Sequence, residues 1–407
     1  MKLFFALIIL FLLNSCSFDN KSGIWENKNI SSYEKKIFKE FKEISNSEEI
    51  YNITIPISDK YIFNLTQPIK NNSWNDIYFS SENNTKNFKF NNLNKIIFKS
   101  NKLSKNSLNR YKLFEKGNLI VNDEKGNIIV YSIKEKRIIS KYNFYKKKFK
   151  KIKKKLNIIV ENNVIFVADN LGYFYAYNYE LKRVIWAKNY KVPFSSNLKI
   201  FNNKIAVSNQ NNNLYIINKK TGDLFKLIPT EETFIKNKFI NNLSIVDENK
   251  LFFLNSFGSL YSINTDNMSV NWFNNFNKSF TLSPSNLFLG KELVSTDKEI
   301  IISTNSKTYL IDLDTGSILK KFNFSSSIKP LVVDNFAFFL TKNNFLIALN
   351  LDTKKILYSY DISKLKKKEI KKLNNDLYKN MMILNNNIFI FLNDSRILIF
   401  DIYGNFK

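Results

Sequence analysis

Histidine is absent from all 407 residues, cysteine occurs once, and glycine and proline number only nine and six. Without histidine there is no Ser-His-Asp or Cys-His nucleophile, and with one cysteine there is neither a His/Cys zinc site nor an intramolecular disulfide. No catalytic, metal or cofactor-binding residue is assigned, and no cofactor is expected. Stability must therefore come from a core, and 44% hydrophobic and 15% aromatic residues supply one. Acidic residues are outnumbered, 35 against 62 Lys and Arg, for a formal net charge of +27. Lysine neutralises phosphate, so such a charge raises the question of nucleic acid or an anionic membrane. Abundant Lys, Asn, Ile and Phe beside scarce Gly, Ala and Pro is also what AT-rich codon usage produces.

What is present begins with a leader. Met1-Lys2 precede the apolar run Leu3 to Leu13, and the tetrapeptide Leu13-Asn14-Ser15-Cys16 follows. A basic residue, a short apolar stretch and small residues before a cut site are the three regions of a secretory signal peptide, too short to span a bilayer as a helix. The tetrapeptide resembles a bacterial lipobox, in which the cysteine is acylated and becomes the first residue of the mature chain. The expected lipid attachment site is Cys16, with diacylglycerol and palmitate-type acylation, and several acyl chains at ~0.8 kcal/mol per buried methylene make such an anchor durable. Ser17 rather than aspartate after the cysteine favours the outer membrane. Export also removes access to nucleic acid, so no nucleic-acid partner is expected.

From Leu119 onward one pattern recurs: an apolar strand, a polar turn, an aromatic-bearing strand, a second polar turn and a third apolar strand. Its turn anchors are Gly126, Gly172, Asn212, Gly258, Ser306, Asn344 and Ser395, so the period is near 45 residues. Apolar residues alternate or run in blocks bounded by Asn, Asp, Gly and Lys, which excludes helical repeats. Three clear strands per unit, with a fourth in the variable connecting stretch, predict an all-β chain: a β-propeller of four-stranded blades. The turns Asn218 to Asp223, Asn264 to Asp266, Asp312 to Gly316 and Asn350 to Thr353 recur too, and two copies continue to Trp186 and Trp272. Asp169, Asp223 and Asp312 are read as turn formers. The lysine runs Lys146 to Lys155 and Lys366 to Lys372 fall between repeats and are read chiefly as solvated loops, with lipid headgroups or an acidic partner as the alternative.

The resulting division is 1–15 signal peptide, 16–48 tether, 49–100 extended lead-in and 101–407 propeller. Within the tether, Tyr33, Ile37, Phe41 and Ile44 fall at helical spacing. Residues 67–92 hold few apolar side chains and many asparagines, so a long surface excursion is predicted. Asn94 to Lys99 is the candidate strand for clasping the ring shut.

Lipobox, polar N-terminal tether and this repeat, of the pyrroloquinoline-quinone type, together resemble the BamB family, propeller lipoproteins of the outer-membrane β-barrel assembly machinery. The stretch Lys70 to Lys99, with its lone Trp74, is similar to the segment preceding the first blade in some members. The resemblance implies a non-catalytic scaffold at the outer membrane, lipid-anchored and facing the periplasm. Its implied partners are the POTRA domains of the central barrel subunit, other subunits of that complex, and unfolded outer-membrane proteins. It also implies eight blades, whereas seven anchors are visible and the sequence stops at Gly404-Asn405-Phe406-Lys407. A seven-bladed ring, one diverged blade, or a reading frame truncated before its last blade all fit. The competing readings are a propeller lipoprotein serving another envelope complex and a quinone-dependent dehydrogenase, against which the missing cysteine pair and the four tryptophans count.

Overall fold

The computed structural model describes residues 53–91, 99–233, 239–277, 288–367 and 378–407, together with the backbone of Cys16–Phe18 and Trp25–Asn27. The hydrophobic leader, the helix expected within 32–44, and all but Lys99 of the strand expected at 94–99 lie outside these residues. By packing the chain divides at 50/51. In the first unit Cys16–Phe18 pairs antiparallel with Trp25–Asn27, Cys16 facing Asn27.

The second unit is a β-propeller. Blades 1 to 6 are four-stranded antiparallel meanders spanning 113–143, 156–189, 199–228, 242–275, 294–322 and 331–361, and blade 7 has three strands over 378–401. Seven blades thus stand among the described residues, where the resemblance implies eight. Each blade is built outward from its first strand. The first strands of blades 1, 3, 5 and 6 are two or three residues long. That brevity hides them in the sequence.

The six four-stranded blades share one irregularity: between third and fourth strands the register shifts, at Val130/Tyr131 in blade 1 and Ile216/Ile217 in blade 3, for example. Such a bulge adds local twist, which turns the outer strand away from its neighbour. Second and third strands are buried on both faces, because each blade is sandwiched between two others. Phe338, Leu346 and Ala348 of blade 6 pack with Ile383, Ile388 and Ile390 of blade 7. Equivalent clusters join each earlier pair of consecutive blades. Each fully buried Leu, Ile or Phe contributes ~1.5–3 kcal/mol to this stack.

The repeated turns are explained by their hydrogen bonds. The side-chain oxygen of Asp123, Asp169, Asn209 and Asn255 accepts the backbone N–H groups two and four residues on. This fixes the turn between second and third strands. Six of the seven anchors, all but Ser306, then adopt positive φ, from 64° at Asn344 to 85° at Gly172. Asp312 serves the turn after the third strand in the same way, accepting from Asp314 and Thr315. Asp223 instead pairs with Lys188 at 2.6 Å.

Trp186 and Trp272 dock blades. The Trp186 indole N–H donates to the Lys219 carbonyl at 2.9 Å, and that of Trp272 to the Leu313 carbonyl at 3.2 Å. In each case the ring covers a glycine, Gly222 or Gly316, in the next blade's outer turn.

Candidate functional site

The first strand of every blade faces the axis with one edge unpaired, and those backbone groups need partners. Residues 74–88 provide them. The segment walks once round the channel and meets the blades in order. Trp74 pairs with Phe114 of blade 1, its N–H on the Phe114 carbonyl at 2.6 Å, and the Asn75 carbonyl accepts Val160 N–H of blade 2 at 3.0 Å. Asp76 takes the Lys199 ammonium of blade 3 at 2.7 Å. Ser81 and Glu82 carbonyls accept Ile245 N–H of blade 4 and Ser295 N–H of blade 5, at 2.9 and 3.0 Å. The Asn84 amide exchanges two bonds with Val332 of blade 6, and Phe88 N–H donates to Ile383 of blade 7 at 3.1 Å.

This overturns the surface excursion expected for 67–92 over its middle, 74–88, while residues 69–73 and 89–91 are exposed as expected. Asp76, Asn83, Thr85, Asn87 and Phe88 are buried. Asn83 and Asn84, which help make the stretch look solvated, are there because their partners are peptide groups. Asn83 alone donates to the Asn242 side chain and to the Leu243 and Leu293 carbonyls, at 3.0, 2.8 and 3.0 Å. A dense run of asparagine around a lone tryptophan, Trp74, was the available signal.

The plug also bridges the ring's first and last blades. Phe79 sits between Trp74 and Phe88, with ring centroids 5.1 and 4.9 Å away. Trp74 is bonded to blade 1 and Phe88 to blade 7, so the aromatic trio ties the two together. Phe79 holds φ at 82°, a left-handed conformation that costs a bulky residue ~1–3 kcal/mol. Packing on two rings offsets that strain.

Above the plug the axis opens as a funnel of about 620 Å³, with Trp74, Ile77, Tyr78 and Thr85 as its floor. Arg110, Lys291, Lys329 and Lys379 line it, and Glu292 is the one carboxylate among its described lining residues. Tyr78 and Tyr111 hydroxyls lie 3.4 Å apart, and Tyr78 lies 3.4 Å from Glu292. Burial, and then the Glu292 charge, push both phenols up. Lys329 reaches past the floor to the Asn83 carbonyl at 2.7 Å. The packed walls around its ammonium lower its pKa from 10.5 to about 8, with Glu292 opposing the shift. Burial likewise lowers the Lys199 pKa, and Asp76 works against it.

Chemically this is a polar, cationic mouth over a sealed axis. Among the described residues no group of three or more His, Cys, Asp or Glu side chains is gathered where a metal ion would sit. The sequence-assigned residue, Cys16, lies in the N-terminal strand pair.

A family model described as outer membrane protein assembly factor BamB matches residues 101–322. No curated protein sequence matches the chain. Among solved structures, BamB from Moraxella catarrhalis is 13% identical with a TM-score of 0.59, over 72% of this chain and 85% of that one. Quinohemoprotein alcohol dehydrogenase from Comamonas testosteroni is 10% identical with a TM-score of 0.59, over 83% of this chain and 73% of that one. The C-terminal WD40 domain of Sif2 is 10% identical with a TM-score of 0.52, over 84% and 85%. These likenesses are likenesses of fold.

Proposed function

The chain belongs to the family of outer membrane protein assembly factor BamB, and from that membership we propose that it is a non-catalytic scaffold in the assembly of outer-membrane β-barrel proteins. In this reading Cys16 carries the lipid that holds the protein on the periplasmic face of the outer membrane. The propeller binds the POTRA domains of the central barrel subunit and meets other subunits or unfolded clients.

The observation that carries the reading is the family match across blades 1 to 5, joined to a leader ending in Leu13-Asn14-Ser15-Cys16. The geometry supports a binding role. A rigid ring presents loops and outer strands whose apolar residues, such as Leu224, Phe225 and Leu227, are about half exposed, as partner surfaces are.

The dehydrogenase reading draws on the same fold. A quinone with calcium needs carboxylates grouped at the axis, whereas Glu292 is the lone acid in the funnel's described lining and already faces Tyr78. Absorbance titration with the quinone tests it: no spectral change is expected.

Affinity purification of the tagged chain from detergent-solubilised outer membrane tests the scaffold. Co-recovery of the barrel-assembly subunits is the expected result, and a clean preparation without them sinks the proposal. Cys16→Ala is expected to abolish acylation, read by mass spectrometry.

A further inference from the structure

Lysine enriched by codon bias alone would be spread over the molecule evenly. The propeller sorts it. In an up-and-down blade, the connectors from an outer strand to the next inner strand, and the turns between second and third strands, lie at one end. The remaining turns lie at the other. At the first end the described connectors, counted from residue 104, carry 21 Lys or Arg against 6 Asp or Glu. At the opposite end the numbers are 8 and 10. The connector from blade 1 to blade 2, residues 144–155, alone holds eight lysines and no acid. Seven of the eight are exposed; only Lys154 is buried, its ammonium bonded to the Phe149 carbonyl. The funnel, with Arg110, Lys291, Lys329 and Lys379, opens at this same end.

Two further observations decide what such a face fits. Large apolar side chains stand exposed among the lysines: Ile152 at 43%, Ile240 at 58% and Leu289 at 45%. Cations interleaved with aliphatic side chains match a lipid interface, where headgroup phosphates meet the acyl boundary, better than a nucleic acid or an acidic protein. The chain also joins the propeller at this end. Ile55 pairs with Ser359 near the end of the outer strand of blade 6, and Lys364, in the following connector, donates to Thr54 at 3.1 Å. The described lead-in therefore starts, at residues 53–55, against the basic face.

We propose that this basic end of the propeller is a docking surface for anionic phospholipid headgroups, against which the ring lies end-on. The inference rests on the scaffold reading only for which membrane is met. Electrostatic attraction of this kind falls off within a Debye length, so the exposed loop lysines carry it and salt weakens it.

The test is vesicle co-flotation of the full chain carrying Cys16→Ala, so that no acyl chain contributes and the leader's own affinity is common to every arm. Vesicles of phosphatidylcholine alone are compared with vesicles rich in phosphatidylglycerol. One variant converts Lys146, Lys147, Lys148, Lys150 and Lys151 to Gln; another converts Lys116, Lys134, Lys136, Lys182 and Lys220, at the opposite end. The first is expected to lose roughly tenfold or more in binding to the anionic vesicles and the second less than roughly twofold, and raising salt from ~0.1 M to ~0.5 M is expected to remove the preference for anionic lipid. Equal losses in the two variants would mean that net charge alone acts, and would overturn the proposal. So would equal binding to both vesicle types, or retention of an acidic protein or nucleic acid on the same loops without anionic-vesicle binding. Thermal melting of both variants checks that they fold. Recovery of barrel-assembly subunits is read separately, so the vesicle result can fail while the scaffold stands.

Discussion

Trp186 of blade 2 lies over Gly222 of blade 3 so closely that a Cβ on the glycine would overlap the indole ring, and Gly222 itself holds φ at 74°. Gly222→Ala therefore meets both overpacking and backbone strain. A loss of about 2–4 kcal/mol is expected in denaturant unfolding. An unchanged midpoint would mean that the Trp186 contact is loose.

The Lys199–Asp76 pair is buried on both sides and measures 2.7 Å. Removing one partner leaves an uncompensated charge, so Lys199→Met alone is expected to cost ~3–5 kcal/mol. Lys199→Met with Asp76→Leu is expected to recover much of that, and a double-mutant cycle reads the coupling. Additive losses would refute the pairing.

Phe88→Ala removes the ring that joins the aromatic trio to blade 7. The expected cost is ~3–5 kcal/mol. Hydrogen exchange should quicken first in the inner strands Leu113–Glu115 and Tyr378–Leu384, which the trio ties together. Uniform loss of protection across all blades would speak against a local tie.

Lys329 gives stability a pH dependence. Its pKa falls from 10.5 to about 8 on folding, so between those values the unfolded chain binds a proton that the folded chain does not. Unfolding free energy then rises with pH across that window. Lys329→Met is expected to flatten this rise, measured as urea midpoints from pH 8 upward. An unaltered slope would show that the ammonium is not constrained by the funnel wall.

The sequence reveals the strands that repeat and conceals those that do not. Second, third and fourth strands are legible because turns after residues such as Asp123, Asp169 and Asn255 demand a side-chain acceptor and then positive φ, a chemistry visible in letters. First strands such as Val294–Ser295 are too short to show a period. The axial segment is illegible for a different reason. Hydrophobicity reports burial against side chains, whereas the Asn83 and Asn84 amides are placed against peptide groups, where a polar residue is the one that fits. The polarity sorting of lysine is likewise hidden, since it emerges only when alternate connectors are gathered at one end.

The axial plug also sets an order of events. A propeller of independent blades would fold as a string of neighbours, each stable once the next is present. Here Phe88 must meet Ile383, and Ile55 must meet Ser359, across some three hundred residues of chain. The segment made first is thus the one seated last. Until blade 7 exists, Phe88 and the buried Asn87, which bonds Asn386, have no complete set of partners. Long-range closure of this kind slows folding. It makes the arrival of blade 7, rather than completion of any earlier blade, the moment at which the axial segment is fully held.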